Sequence, residues 1–147
     1  MQRVERSVLV PYSAQSMFAL VDDVERYPEF LPWCSGADIL ELRPDGKVAR
    51  LHIDFHGVTA HFTTDNVNDP PHSMQMKLKE GPFRTLSGEW SFRTLAPDAC
   101  KAELVLAYAF RTNVLETLIG PVFDGIARSF MDAFVQRAEA LHRKTRK

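Results

Sequence analysis

Cysteine is scarce in this chain, charge of either sign has no surplus, and no long uncharged apolar run occurs. The two cysteines, Cys34 and Cys100, lie far apart. They match no metal-binding or redox spacing, which excludes a disulfide scaffold and suits a reducing compartment. Eighteen Lys and Arg nearly cancel nineteen Asp and Glu, for a net charge of −1. Such a balance announces no nucleic acid as main partner, and DNA is not expected to be one. No segment approaches the roughly 18 apolar residues a spanning helix needs. The opening Met1-Gln2-Arg3-Val4-Glu5-Arg6 is too charged for a secretory signal. A G-x-S-x-G elbow, a phosphate-cradling glycine loop, HExxH and a dinucleotide fingerprint are all missing, so no catalytic residue is nominated.

What is present fits one domain spanning residues 1–147. Hydrophobic residues make up 45% and charged residues 25%, the balance of an ordinary globular protein with a core of useful size. Ten Phe and five Met are many for that length, and these bulky apolar side chains need a use.

The periodicity gives an order of elements. Arg3 to Val10 reads as a strand stopped by Pro11. Ser13 caps a helix carrying Met17, Phe18, Leu20 and Val21. Pro28 and Pro32 then break the next segment into one or two short helical turns. Ala37 to Arg43 is a strand closed by the turn residues Pro44-Asp45-Gly46. Ala49, Leu51, Ile53 and Phe55 alternate with polar residues, as do Val58, Ala60 and Phe62, which predicts a hairpin about His56-Gly57. Met74, Met76 and Leu78 mark a further strand, and Leu86, Trp90 and Phe92 another. A last strand carries Ala102, Leu104, Leu106, Tyr108 and Phe110. No helical crossover separates the six later strands, so they form an antiparallel meander.

From Asn113 the period becomes helical. Ile119, Val122, Phe123, Ile126, Phe130, Phe134, Ala138 and Leu141 share a stripe. Gly120-Pro121 predicts a short turn and then a long helix starting at Pro121. One apolar helix must lie on the apolar face of a curved sheet, and the gap such a pair leaves suits an apolar ligand.

Three runs carry a resemblance. They are Asp23-Val24-Glu25-Arg26-Tyr27-Pro28-Glu29-Phe30-Leu31-Pro32-Trp33-Cys34, Gly81-Pro82-Phe83-Arg84-Thr85-Leu86-Ser87-Gly88-Glu89-Trp90-Ser91-Phe92, and Met131-Asp132-Ala133-Phe134-Val135-Gln136-Arg137-Ala138. Their order and spacing resemble the coenzyme Q-binding START-like family over nearly the whole chain. Bacterial members of that family include ribosome association toxins, and older naming places relatives among polyketide or oligoketide cyclases. The resemblance implies an α+β helix-grip (START/Bet v 1-like) fold. In it a curved antiparallel sheet of about seven strands wraps a long C-terminal helix, with two short helices after strand 1. It also implies a cavity for a ubiquinone-like lipid, with no covalent cofactor. Mitochondrial relatives carry a presequence, and here the first strand starts almost at Met1. The expectation is therefore a bacterial, cytoplasmic member, acting peripherally at the inner face of the membrane.

Candidate ligand-binding residues are Phe30, Leu31 and Trp33 from the broken segment, and Phe62 and Met76 from the sheet. Phe83, Trp90, Phe92, Tyr108 and Phe110 lie later on the sheet, and Phe123, Ile126, Phe130 and Phe134 on the helix. If exposed, Trp33 would dip into an interface or cap the cavity mouth. His52, Asp54, His56 and His61 share a polar face opposite the core, where ligands would be splayed and hydrated, so no metal is expected. Tyr108 is the one polar group on its apolar strand face, and a cyclase would need such an acid or base.

Three functions follow as expectations. The first is non-catalytic binding of ubiquinone or another polyprenyl lipid in support of respiration. The second is association with the large ribosomal subunit that blocks 70S formation, as one half of a toxin–antitoxin pair. For this, Lys77, Lys79 and Arg84, or the basic tail Arg143 to Lys147, would supply the contact. The third is polyketide cyclase or dehydratase chemistry.

Overall fold

A computed structural model describes residues 2–145. Strands β1 (Gln2–Val10), β2 (Cys34–Arg43), β3 (Gly46–Phe55), β4 (Val58–Asp69), β5 (Ser73–Glu80), β6 (Phe83–Ala96) and β7 (Ala99–Phe110) form one sheet. Their spatial order is β1-β7-β6-β5-β4-β3-β2, with every pair antiparallel. β2 to β7 are thus the meander, and β1 adds to its far edge beside β7. Between β1 and β2 come helix α1 (Ala14–Asp22) and a 3₁₀ segment (Val24–Glu29); helix α2 (Asn113–Thr145) ends the chain.

Local chemistry explains these boundaries. Ser13 Oγ accepts the Ser16 N–H at 3.0 Å and caps α1. The β3–β4 hairpin pairs Leu51 with Phe62, Ile53 with Ala60 and Phe55 with Val58, so apolar residues face one another. Its two-residue turn has His56 at φ 51° and Gly57 at φ 79°, the two left-handed positions a tight hairpin requires. Thr112 Oγ1 accepts the Leu115 N–H at 3.1 Å and caps α2.

Two expectations about the last helix are corrected. It is continuous from Asn113, and Pro121 lies inside it. An internal proline costs about 3 kcal/mol, but the stripe is buried on both sides of it. Phe123 is covered by Phe62, Phe83, Tyr108 and Phe110, and Ile119 also packs on the core. That burial outweighs the lost hydrogen bond. Leu141, assigned to the stripe, is 38% exposed.

The core lies between the concave face of the sheet and α2. Trp90, Tyr108, Phe134, Met17 and Met74 are among its fully buried side chains. Trp90 and Phe92 stack at 5.8 Å, and Phe134 meets Trp90 edge-on at 5.3 Å. Lys47 Nζ donates to the Asp22 carbonyl at 2.7 Å and Asn68 Nδ2 donates to Asp22 Oδ1 at 3.0 Å, which ties the end of α1 to β3 and β4. At Gly46 an added Cβ would stand 1.9 Å from the Asn66 carbonyl oxygen. Gly46→Ala should therefore force the β3–β4 backbones apart and cost about 1–3 kcal/mol, read as a thermal midpoint roughly 4–10 °C lower. An unchanged midpoint would contradict this contact.

Candidate functional site

Inside the grip is an apolar cavity of about 60 Å³. β3 and β4 contribute Ala49, Leu51, Phe62, Thr64 and Asn66, while β5, β6 and β7 contribute Met76, Leu86, Gly88 and Leu106. α2 supplies Phe123, Ile126, Ala127 and Phe130, and the 3₁₀ segment with its flank supplies Val24, Tyr27 and Trp33. Asn66, Met76, Gly88 and Leu106 form one row across four neighbouring strands. Gly88 leaves the space in that row, since a Cβ there would meet Met76 Cε at 2.7 Å and Leu106 Cδ2 at 2.8 Å.

Of the sequence-derived candidates, Trp33, Phe62, Met76, Phe123, Ile126 and Phe130 line this cavity. Leu31, Phe83, Trp90, Phe92, Tyr108, Phe110 and Phe134 are buried in the core beside it, and Phe30 is partly buried against that core. Trp33 is only 3% exposed, so it is a wall residue and does not reach an interface. Sequence reasoning missed Val24, Tyr27, Leu51, Leu86 and Leu106, and with them the small and polar members of the lining. Ala49, Gly88 and Ala127 bound the space by being small. Thr64 and Asn66 continue the period-two alternation of β4 inward beyond Phe62, a signal that was readable.

The 3₁₀ segment closes one side. Arg137 on α2 pairs with Glu29 at 2.7 Å and lies 5.1 Å from the centre of the Phe30 ring. The Tyr27 hydroxyl donates to the Val21 carbonyl. Burial, followed by the charge of Asp22, raises the Tyr27 pKa well beyond the ordinary tyrosine range. Tyr108 does not line the cavity; its hydroxyl donates to Asp124 on α2 and clasps β7 to that helix. Burial, then that bond, holds this phenol protonated too.

Cys34 donates its thiol to the Gly36 carbonyl at 3.3 Å, and burial pushes its pKa up, which suits a structural thiol rather than a nucleophile. His52 faces His61 across the hairpin, and its Nε2 is 2.8 Å from Asp38 Oδ2. No group of three His, Cys, Asp or Glu among the described residues could hold a metal ion. Lys77, Lys79 and Arg84 are exposed. The end of the basic tail lies outside the described residues, and no described helix is long and apolar enough to cross a membrane.

A seven-stranded antiparallel sheet gripping one long helix around an apolar cavity defines a START-like, helix-grip protein. The chain belongs to the family described as polyketide cyclase / dehydrase and lipid transport, which it matches over residues 10–135. It is 42% identical to the ribosome association toxin RatA of Pseudomonas aeruginosa over 139 residues, covering 95% of this chain and 96% of that one. It is 27% identical to the mitochondrial coenzyme Q-binding protein COQ10 of Drosophila melanogaster, covering 87% of this chain and 54% of that one. Among solved structures, a START superfamily protein from Mycobacterium smegmatis superposes with a TM-score of 0.76 at 24% identity, covering 95% of this chain and 98% of that one.

The two clasping tyrosines make stability depend on alkaline pH. Their folded pKa values are raised, whereas an unfolded tyrosine ionises near 10. Their contribution is therefore complete below about pH 10 and is lost as pH rises toward the folded values. Urea unfolding between about pH 8 and 11 should show a plateau and then a decline, with a shallower decline in Tyr27→Phe. An identical decline in the variant would contradict this assignment.

Proposed function

We propose that the protein is a non-catalytic binder of an apolar ligand, of the quinone or polyprenyl-lipid class, held between α2 and the concave face of the sheet in support of respiration. The observation that carries this reading is the cavity under α2, whose walls are apolar except at Thr64, Asn66 and the tethered Tyr27 hydroxyl. The likeness to a protein named for coenzyme Q binding supports the choice of ligand class. At about 60 Å³ the space is well below the roughly 300–1,000 Å³ of ordinary ligand pockets, so a ligand enters by moving a wall. The sheet walls are laddered and α2 is a continuous helix. The short 3₁₀ segment, held by Arg137 and the Tyr27 hydroxyl, is the wall that yields.

A second reading, association with the large ribosomal subunit, draws on the 42% identity to a ribosome association toxin. Lys77, Lys79 and Arg84 are exposed, and none forms an ion pair among the described residues. They leave cations available to phosphates outside while the cavity works inside, so the two readings are compatible.

Each reading has its own test. Organic extraction of the purified protein followed by mass spectrometry should yield an apolar lipid. Gly88→Ala should weaken binding of a one-isoprene ubiquinone about tenfold, because its methyl pushes Met76 and Leu106 into the cavity. Stability should change by no more than about 1 kcal/mol, since both neighbours are flexible side-chain ends. Consistently empty protein that ignores the quinone would overturn the first reading. Overexpression should lower the 70S fraction in sucrose gradients, and reversing Lys77, Lys79 and Arg84 to Glu should restore it. Profiles that never change would remove the second reading.

A further inference from the structure

One feature of the cavity is chemically out of place. Thr64 and Asn66, at 8% and 4% exposure, are two of the three buried polar residues of the molecule among those described, and both line the apolar cavity. They lie on the same face of β4 as Phe62, and a register irregularity in the β4–β5 ladder falls between Thr63 and Thr64. Irregularities of this kind re-aim side chains. The Thr64 hydroxyl donates to Asn66 Oδ1 at 2.8 Å. That leaves the Asn66 amide N–H pair, for which no acceptor exists among the described residues. The side-chain polar atoms that are sealed without a partner lie elsewhere, at Asn68 Oδ1, Trp90 Nε1 and Arg137 Nε. The Asn66 amide therefore opens onto space and not onto packed atoms. An Asn held in an apolar wall with its donors unused is less favourable for folding than a Leu or Val of similar size.

Its position is also fixed. The backbone at residue 66 is pressed against Gly46, and its carbonyl accepts from Arg43 at 3.4 Å. Thr64 holds the Oδ1 end of the amide, so its NH₂ end is set toward the cavity. Trp33, Phe123 and Phe130 complete the walls with aromatic faces.

Resting on the ligand reading above, we infer that Thr64 and Asn66 form a polar anchor that selects ligands whose buried end carries an acceptor oxygen. A quinone, ketone or ester carbonyl meets this requirement and a plain hydrocarbon does not. The ligand enters oxygen first, with its apolar remainder toward the 3₁₀ segment. Asn66 supplies the donor and Thr64 holds the amide in place.

The test compares two probes of matched shape, 2-methyl-1,4-naphthoquinone and 2-methylnaphthalene, titrated into the full chain by ¹⁵N NMR. The wild type should bind the quinone about tenfold more tightly than the hydrocarbon, and Asn66→Leu should bind both within about twofold of each other. A wild type that binds both equally, or an Asn66→Leu protein that keeps the preference, overturns the anchor and leaves the ligand reading standing. A wild type that binds neither overturns both. The Asn66 side-chain NH₂ signals give a readout that needs no substitution. They should move with the quinone and stay with the hydrocarbon, and equal movement with both overturns the anchor.

Discussion

A single helix has to cover a sheet wider than itself. Seven strands at about 4.8 Å spacing span roughly 29 Å, while a helix with its side chains is about 10–12 Å across. Left flat, the sheet would leave most of its apolar face in water. It curves instead; α1 packs against β6 and β7 beside α2, and the 3₁₀ segment packs against β2. The stripe of α2 is worth enough to hold the helix together through Pro121.

Where the grip closes fully and where it does not depends on side-chain size, row by row. Around Trp90, Phe92 and Phe134 the aromatic rings meet edge-on or stacked at 5.3–5.8 Å, and none of the three lines the cavity. One row away Gly88 sits between Met76 and Leu106, with Ala49 and Ala127 nearby in the lining, and there the walls stand apart. The cavity is thus set by the small residues, and the large ones set its limits. Function follows from the same geometry. The opening is narrow, apolar and closed by a short segment pinned through Arg137 and Tyr27, which suits a lipid taken up by displacement of a wall.

This explains what could be read from residues alone. The hairpin of β3 and β4, the Ser13 cap and the antiparallel meander were legible, because each rests on local periodicity or turn chemistry. The continuity of α2 was not, since Pro121 is a local signal overridden by burial of Phe123. The surplus of Phe and Met pointed to a wall without showing where the gap behind it lay. Trp33, Phe62 and Phe130 reach the space, whereas Trp90, Phe92 and Phe134 only support it. Separating them needs the register of four strands at once, which no single strand carries. Asn66 escaped notice because attention to apolar residues stops at Phe62, where the inward face of β4 turns polar.

The central claim is that the space under α2 accepts an oxygen-bearing apolar ligand by expanding. A crystal structure of the chain with a one-isoprene ubiquinone tests it most directly. The account predicts the quinone ring between β4 and α2, a carbonyl oxygen within hydrogen-bond distance of the Asn66 amide, and the 3₁₀ segment displaced around a cavity grown beyond 60 Å³. Quinone bound only on the outer surface, with the cavity unchanged, would contradict it.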